Sequence, residues 1–249
     1  ELSLTFNGML DRLEQAFASQ DRFISNASHQ LKTPLTILKG ELDLLRKRQA
    51  DAPELALGLE SASAEINRLI TLVQDLLLLA RLEAGRDHIP LRKVRLDEVL
   101  MQVVSRVQKL AIKKGVRITT QFLAEPKSSE LDVEVRGDEE LLDSMIENFL
   151  ENAVKYAPEN SLVELDLKAG ASKIELRIRD QGPGVPEELR QKIFERFQRV
   201  RPSDNIPGSG LGLSIAAEIA SLHKVKIDFA SVVPRGAAVT LDFPRHSGA

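Results

Sequence analysis

An exposed imidazole is the first residue here that could do chemistry. In Phe23-Ile-Ser-Asn-Ala-Ser-His-Gln-Leu-Lys-Thr-Pro-Leu35, His29 falls two residues past Ala27. Ala27 belongs to an apolar seam of Leu10, Leu13, Phe17, Gln20, Ile24, Ala27 and Leu31, stepping by three and four, then by four again to Leu35, Leu38, Leu42 and Leu45. Two fours in a row are a stutter. It ends beside Pro34, which cannot donate a helix hydrogen bond and tends to kink. His29 is therefore expected to face solvent on a loosened helix, within reach of a moving partner. A lone exposed histidine is more often an ordinary surface residue, so the spacing needs support from elsewhere.

Amides, one lysine and glycine turns supply a second set. Asn148-Phe-Leu-Glu-Asn152-Ala-Val-Lys155-Tyr156 puts Asn148 and Asn152 four apart on one helix face, with Lys155 close to it. Amide oxygens are hard ligands and an ammonium meets phosphate charge, which suits a magnesium-bound triphosphate. Alone, the pattern reads equally as a polar helix face. Asp180-Gln-Gly182-Pro-Gly184 directly follows a predicted strand. Its glycines allow a tight turn and close backbone approach, and its aspartate can accept from an adenine amine. Gly208-Ser-Gly210-Leu211-Gly212 opens a predicted helix, whose first N–H groups can bind phosphate. No parallel βαβ unit is read before it, so it is not the dinucleotide fingerprint.

The elements that position these residues follow from periodicity. A first helix is predicted to about Arg48, and Asp51, Pro53 and Glu54 read as the capped start of a second. That helix shows a heptad of Leu55, Leu59, Ala62, Ile66, Leu69, Val73, Leu76 and Ala80, widened by Ile70, Leu72 and Leu77–Leu79. A two-helix hairpin cannot bury so wide a stripe alone, whereas two copies forming a four-helix bundle can. A homodimer is the expectation.

Gly85–Pro90 reads as a linker. Beyond it, strands are predicted at 91–96, 116–122, 133–136, 162–168, 173–179, 225–231 and 237–243. Helices are predicted at 97–114 (capped by Asp97, ended by Gly115), 139–157, 187–194 and 211–222. Alternating strands need helices on one face, which predicts a two-layer α/β sandwich. The segment from Gln198 to Pro207 has no periodicity and reads as a lid.

Composition narrows the class. With 34 basic and 37 acidic residues the net charge is −3, so no broad basic field invites nucleic acid. There is no cysteine, which excludes disulfides and thiolate metal sites. No run of 18 apolar residues exists, so nothing here is expected to span a membrane as a helix.

Ser28-His29-Gln30-Leu31-Lys32-Thr33-Pro34-Leu35 resembles the phosphoacceptor box of sensor histidine kinases. Four further segments resemble that family's remaining boxes in order: Asn148–Tyr156 the N box, Asp180–Gly184 the G1 box, Ile193–Phe197 the F box and Gly208–Gly212 the G2 box. The resemblance covers about residues 20–245. It implies an all-α dimerising hairpin at 21–86, followed at 91–249 by an α/β sandwich of the Bergerat ATP-binding type. Residues 1–20 resemble the end of a linker helix. The start at Glu1, already in helical register, reads as a fragment whose sensor and membrane helices lie upstream, making this the cytoplasmic portion of a bacterial inner-membrane receptor.

The resemblance further implies ATP and Mg²⁺ as cofactors, with Asn152 on the metal. It implies that Asn148, Lys155, Tyr156, Asp180, Gly182, Gly184, Arg199, Gly208, Gly210, Leu211 and Gly212 surround the nucleotide. His29 would take the γ-phosphoryl group, aided by Lys155, and pass it to an aspartate of a response regulator. Thr33 would position water for phosphatase action on that regulator. Gln30 departs from the family's usual acid; it can orient the imidazole but cannot act as its base. His223-Lys224-Val225 departs where many members place two glycines after the histidine. A related ATPase acting as chaperone or repair protein would carry a glutamate where Asn148 stands. A non-catalytic or phosphatase-biased scaffold is favoured by Gln30 alone.

Overall fold

A computed structural model of the chain describes residues 31–40, 42, 52–84, 89–123, 132–170, 172–198, 208–232 and 235–245. The expected cap at Asp51, the linker at Gly85–His88 and the body of the lid lie outside these residues. The chain divides into two compact units, one up to Leu77 and one from Leu78.

In the first unit, α1 covers residues 31–40, and α2, Ala52–Ala84, begins there. Two stripes run along α2. Ala62 and Leu72 are buried, whereas Leu59, Ile66, Ile70, Val73 and Leu77 are between 44% and 65% exposed. The single heptad read from sequence is therefore two faces: Ala62 lies on the covered one, while Leu59, Ile66 and Val73 lie on the open one. Leu35 and Ile37 on α1, and Leu42 just beyond it, are also exposed.

The second unit is a two-layer sandwich. A two-stranded ribbon pairs β1 (Arg92–Arg95) antiparallel with β3 (Glu134–Gly137), placing buried Val94 opposite buried Val135. The main sheet contains β2 (Arg117–Leu123), β4 (Leu162–Ala169), β5 (Lys173–Arg179), β6 (Lys226–Ser231) and β7 (Ala237–Pro244), in the order β2-β4-β5-β7-β6. β4 and β5 form the expected hairpin, closed by Gly170 N–H donating to Lys173 O at 2.9 Å. β2 and β4 run parallel, with β3 and α4 in the crossover, so a parallel unit does exist earlier in the chain. The glycine loop nevertheless follows β5, which is antiparallel to both its neighbours.

Alternation decides the two faces of the sheet. Leu165, Leu167, Ile178, Leu176 and Leu241 form cross-strand apolar rows on the buried face. The other face is a lattice of opposite charges, with Arg179–Asp166 at 2.9 Å, Arg177–Glu175 at 3.1 Å and Lys173–Asp242 at 2.6 Å. Helices α3 (Leu96–Lys114), α4 (Glu139–Tyr156) and α5 (Gly212–Leu222) supply the second layer. α4 lies between the other two; α3 meets β2, α4 meets β5 and α5 meets β6.

Two local expectations change. Leu96 already belongs to α3, and Arg95 occupies the cap position without a side-chain bond, so Asp97 is a first-turn acid that pairs with Arg95 at 2.6 Å. Residues 187–194 are two 3₁₀ turns, Glu187–Leu189 and Lys192–Phe194, rather than one helix. Ile193 is their one buried residue, too little apolar surface to hold an amphipathic helix against the core.

Candidate functional site

α4 is the backbone of the site. Asp138 caps it, accepting Leu141 N–H at 3.1 Å. Leu142, Met145, Ile146, Phe149, Leu150, Ala153 and Val154 bury one face. Asn148, Asn152, Lys155 and Tyr156 therefore fall on the half-buried rim, as the 3.6-residue period requires. Asn148 Nδ2 donates to Ser144 O at 2.9 Å, which leaves Oδ1 turned toward Gly212. A Cβ on Gly212 would overlap that oxygen, so a side chain here would have to displace the Asn148 amide. Lys155 Nζ donates to Glu151 Oε2 at 2.6 Å, a pair that an arriving phosphate would have to exchange.

The aspartate turn closes on the other end of α4. Asp180 follows β5, and its Oδ1 accepts Gly182 N–H at 2.7 Å and Ala237 N–H at 3.3 Å. Oδ2 is left for a ligand donor. Burial pushes the Asp180 carboxyl above its ordinary value, while the two N–H groups pull the other way. A Cβ on Gly182 would lie 2.7 Å from Tyr156 O, so the turn sits directly against the α4 C-terminus. Gly184 has φ +74°, a left-handed conformation.

The glycine loop and the phenylalanine segment are tied together. Phe197, itself at φ +62°, donates its N–H to Gly210 O at 2.9 Å, and Gly210 has φ +74°. Phe194 meets Phe229 edge-on at 5.7 Å, and Phe149 of α4 meets Phe229 at 6.3 Å. Phe194 thus packs this segment against the core, while Phe197 holds Gly210 through its backbone. Leu211 is fully buried, so it can offer a ligand only its backbone. No side chain caps the N-terminus of α5, which leaves first-turn N–H groups available to an anion. Gly208 has open space around it and no steric requirement for glycine.

Three supporting residues escape sequence reasoning. Lys114, at the end of α3, donates to Val154 O at 3.0 Å and to Lys155 O, holding the last carbonyls of α4. Gln181 Oε1 accepts Leu162 N–H at 3.2 Å, tying the aspartate turn to the start of β4. Ala237 supports Asp180 through its backbone, which leaves no trace in residue type. A lysine just before the helix-ending Gly115 was the available signal for the first. Thr33 lies exposed on α1. His29, Gln30 and Arg199 lie outside the described residues.

Residues 137–247 match the family model of the histidine kinase-, DNA gyrase B- and HSP90-like ATPases, and residues 19–85 match the His Kinase A (phospho-acceptor) domain. The mycobacterial sensor histidine kinase MprB is 31% identical with a TM-score of 0.50, over 62% of this chain and 97% of that one. The chain belongs to the sensor histidine kinases. Among its relatives, the sensor histidine kinase YkoH of Bacillus subtilis is 32% identical over 100% of this chain and 53% of its own length. ShkA, whose full-length structure holds AMPPNP, is 29% identical with a TM-score of 0.65, over 87% of this chain and 44% of that one. The chain spans about half the length of the curated relatives it matches. No described helix is long and apolar enough to cross a membrane.

The kinase family's four nucleotide boxes come from distant stretches of sequence. Around α4, three of them converge. Asn148 touches the start of the glycine-loop helix, and Tyr156 touches the aspartate turn. The fourth, through Phe197, closes on Gly210.

Proposed function

We propose that the chain is the catalytic core of a protein-histidine kinase that phosphorylates His29 from ATP and passes the group to an aspartate of a response regulator. Convergence of Asn148–Gly212 and Tyr156–Gly182 around one helix is the observation that most supports it. Residues 21–86 would be the dimerising and phosphoacceptor domain, 91–249 the ATP-binding domain, and 1–20 the end of a linker helix. The partners are a second copy and a receiver domain. The chain would work on the cytoplasmic side of a bacterial inner membrane, as part of a receptor.

Asp180 Oδ2 accepts from the adenine amine. Lys155 leaves Glu151 for a phosphate oxygen, and the glycine loop offers N–H groups to the triphosphate. No cluster of three or more acidic, histidine or cysteine ligands exists among the described residues, so no all-protein cage is present. That suits Mg²⁺, which takes one or two protein oxygens and leaves the rest to phosphates and water. Asn152 would hold it; when bound it neutralises phosphate charge. His29 Nε2 attacks the γ-phosphorus, the bond to the β–γ bridging oxygen breaks, and ADP leaves with that electron pair. The imidazole proton goes to solvent, because Gln30 orients the ring without being able to take it. Thr33 positions water when the regulator's phosphoaspartate is hydrolysed.

γ-Labelled ATP with Mg²⁺ tests this. The label should be acid-labile and base-stable, absent from His29→Ala and Asn152→Ala, and should form faster in Gln30→Glu, by about 100-fold or more if a general base is restored. Label that persists in His29→Ala, or none on folded protein that binds ATP, sinks the kinase reading.

A further inference from the structure

His223 is one of two polar or charged residues buried among the described residues, and the proposed chemistry does not use it. It sits at the C-terminal end of α5. Its Nδ1 lies 2.8 Å from Ile219 O, which can only accept, so Nδ1 carries the proton. Nε2 is then a lone pair, and it accepts Asp138 N–H at 3.0 Å. Asp138 is the cap of α4. The imidazole therefore joins the end of one site helix to the beginning of the other.

Distances along the two helices make this joint important. From Asp138 to Asn148 is ten residues of α4, about 15 Å; from Gly212 to His223 is eleven of α5, about 16 Å. Asn148 meets Gly212 at the other end. α4 and α5 are thus antiparallel and nearly equal in span, pinned once at the nucleotide end and once at the far end. Between them α5 buries Ile215, Ala216, Ile219 and Ala220, so loss of the far bond would shift the seating of the helix around the tight Asn148–Gly212 contact rather than free it. That contact is where the glycine loop enters the helix.

We propose that His223 is a positioning residue for the nucleotide site, and that nucleotide affinity falls when it takes up a proton. The inference rests on reading α4 and α5 as the nucleotide-binding helices. Protonated, Nε2 would become a donor facing the donor N–H of Asp138, so the far pin would turn from attraction to repulsion. The groups around the ring set the threshold. β3 presents Gly137, which is uncharged and whose missing Cβ makes room for the ring. From α4, Asp138 favours the proton, but its carboxylate is engaged with Leu141 N–H. From α5 the ring meets the Ile219 carbonyl. Burial outweighs the attraction of Asp138 and holds the imidazole below its ordinary value of 6.5, so it is neutral at neutral pH and charges only on acidification.

The test is calorimetric titration of the chain with AMPPNP and Mg²⁺ at pH 7.5 and pH 5.5, in wild type and His223→Gln. Glutamine keeps one acceptor and one donor but does not titrate. Protonation of the nucleotide and of Asp180 is common to both proteins and cancels in the comparison. Wild-type affinity should fall at least about fivefold more than that of His223→Gln, the lower edge of ordinary site-to-site coupling. Equal falls overturn the proposal. A second measurement needs no variant: by reciprocity, saturating AMPPNP must lower the His223 titration midpoint, followed by imidazole resonances. An unmoved midpoint also overturns it. Absence of wild-type binding at pH 7.5 removes the nucleotide reading itself, and this inference with it.

Discussion

Asp180 carries a negative charge in a place that resists it. Burial raises its carboxyl, and only two backbone donors, Gly182 and Ala237, offset that cost. The sign follows from linkage. A carboxyl raised in the folded state favours folding below its ordinary 3.8, and that contribution is lost as pH rises through the folded value. Where the carboxyl ionises, its charge is therefore held against burial at the expense of stability. Asp180→Asn keeps an oxygen for both N–H groups and removes the charge. We expect its nucleotide-free thermal midpoint to be unchanged or raised, while AMPPNP binding weakens by about tenfold or more, the value of one lost hydrogen bond to a charged group. A lowered midpoint together with unchanged affinity would show that Asp180 is a structural residue of the turn.

At the scale of elements, α5 ends on an unusual residue. Lys224 has φ +56°, a left-handed position that favours glycine, and it follows His223 where many family members carry glycine. Lys224→Gly should stabilise the fold by about 1 kcal/mol, since a side chain in that conformation costs roughly 1–2. Urea unfolding with an unchanged slope would show it, and a lowered midpoint would refute it. This departure was legible in the sequence, although its conformation was not. Much else at this scale could be read directly. β4 and β5 alternate cleanly because one face is core and the other carries paired charges, and α4 keeps a clean period because it is half-buried throughout. The failures have physical causes. Residues 187–194 bury only Ile193, and nothing local marks that shortage. The heptad of α2 mixed two faces, because Leu59 and Ala62 are equally apolar and only packing separates them. The parallel pairing of β2 with β4 depends on a crossover, which residue types do not encode. Individual site residues were easier to read where chemistry demands a side chain, as at Asp180 and Asn148. They were invisible where a backbone group serves, as at Ala237.

Over the whole molecule, the first unit leaves an apolar face uncovered. Leu59, Ile66, Ile70, Val73 and Leu77 recur at steps of seven, four, three and four residues, about half exposed or more. Completing the burial of such half-exposed side chains is worth roughly 1 kcal/mol each, together enough to drive association of two copies. Ile66→Lys with Val73→Lys should raise the dimer dissociation constant at least about 100-fold, measured by sedimentation velocity. Unchanged sedimentation would place the dimer contact elsewhere. The second unit has a different consequence, set by strand order. Central β5 is completed on one side by β4, close by in sequence, and on the other by β7, about sixty residues later. The same β7 brings Ala237 to Asp180. On the ribosome, chains emerge N-terminus first. A nascent chain that has not yet delivered β7 therefore has Asp180 with only the local Gly182 N–H to hold it, and lacks the second donor. On the proposed reading, a truncated product lacking β7 would hold nucleotide more weakly, because one of the two backbone donors to Asp180 arrives with the last strand.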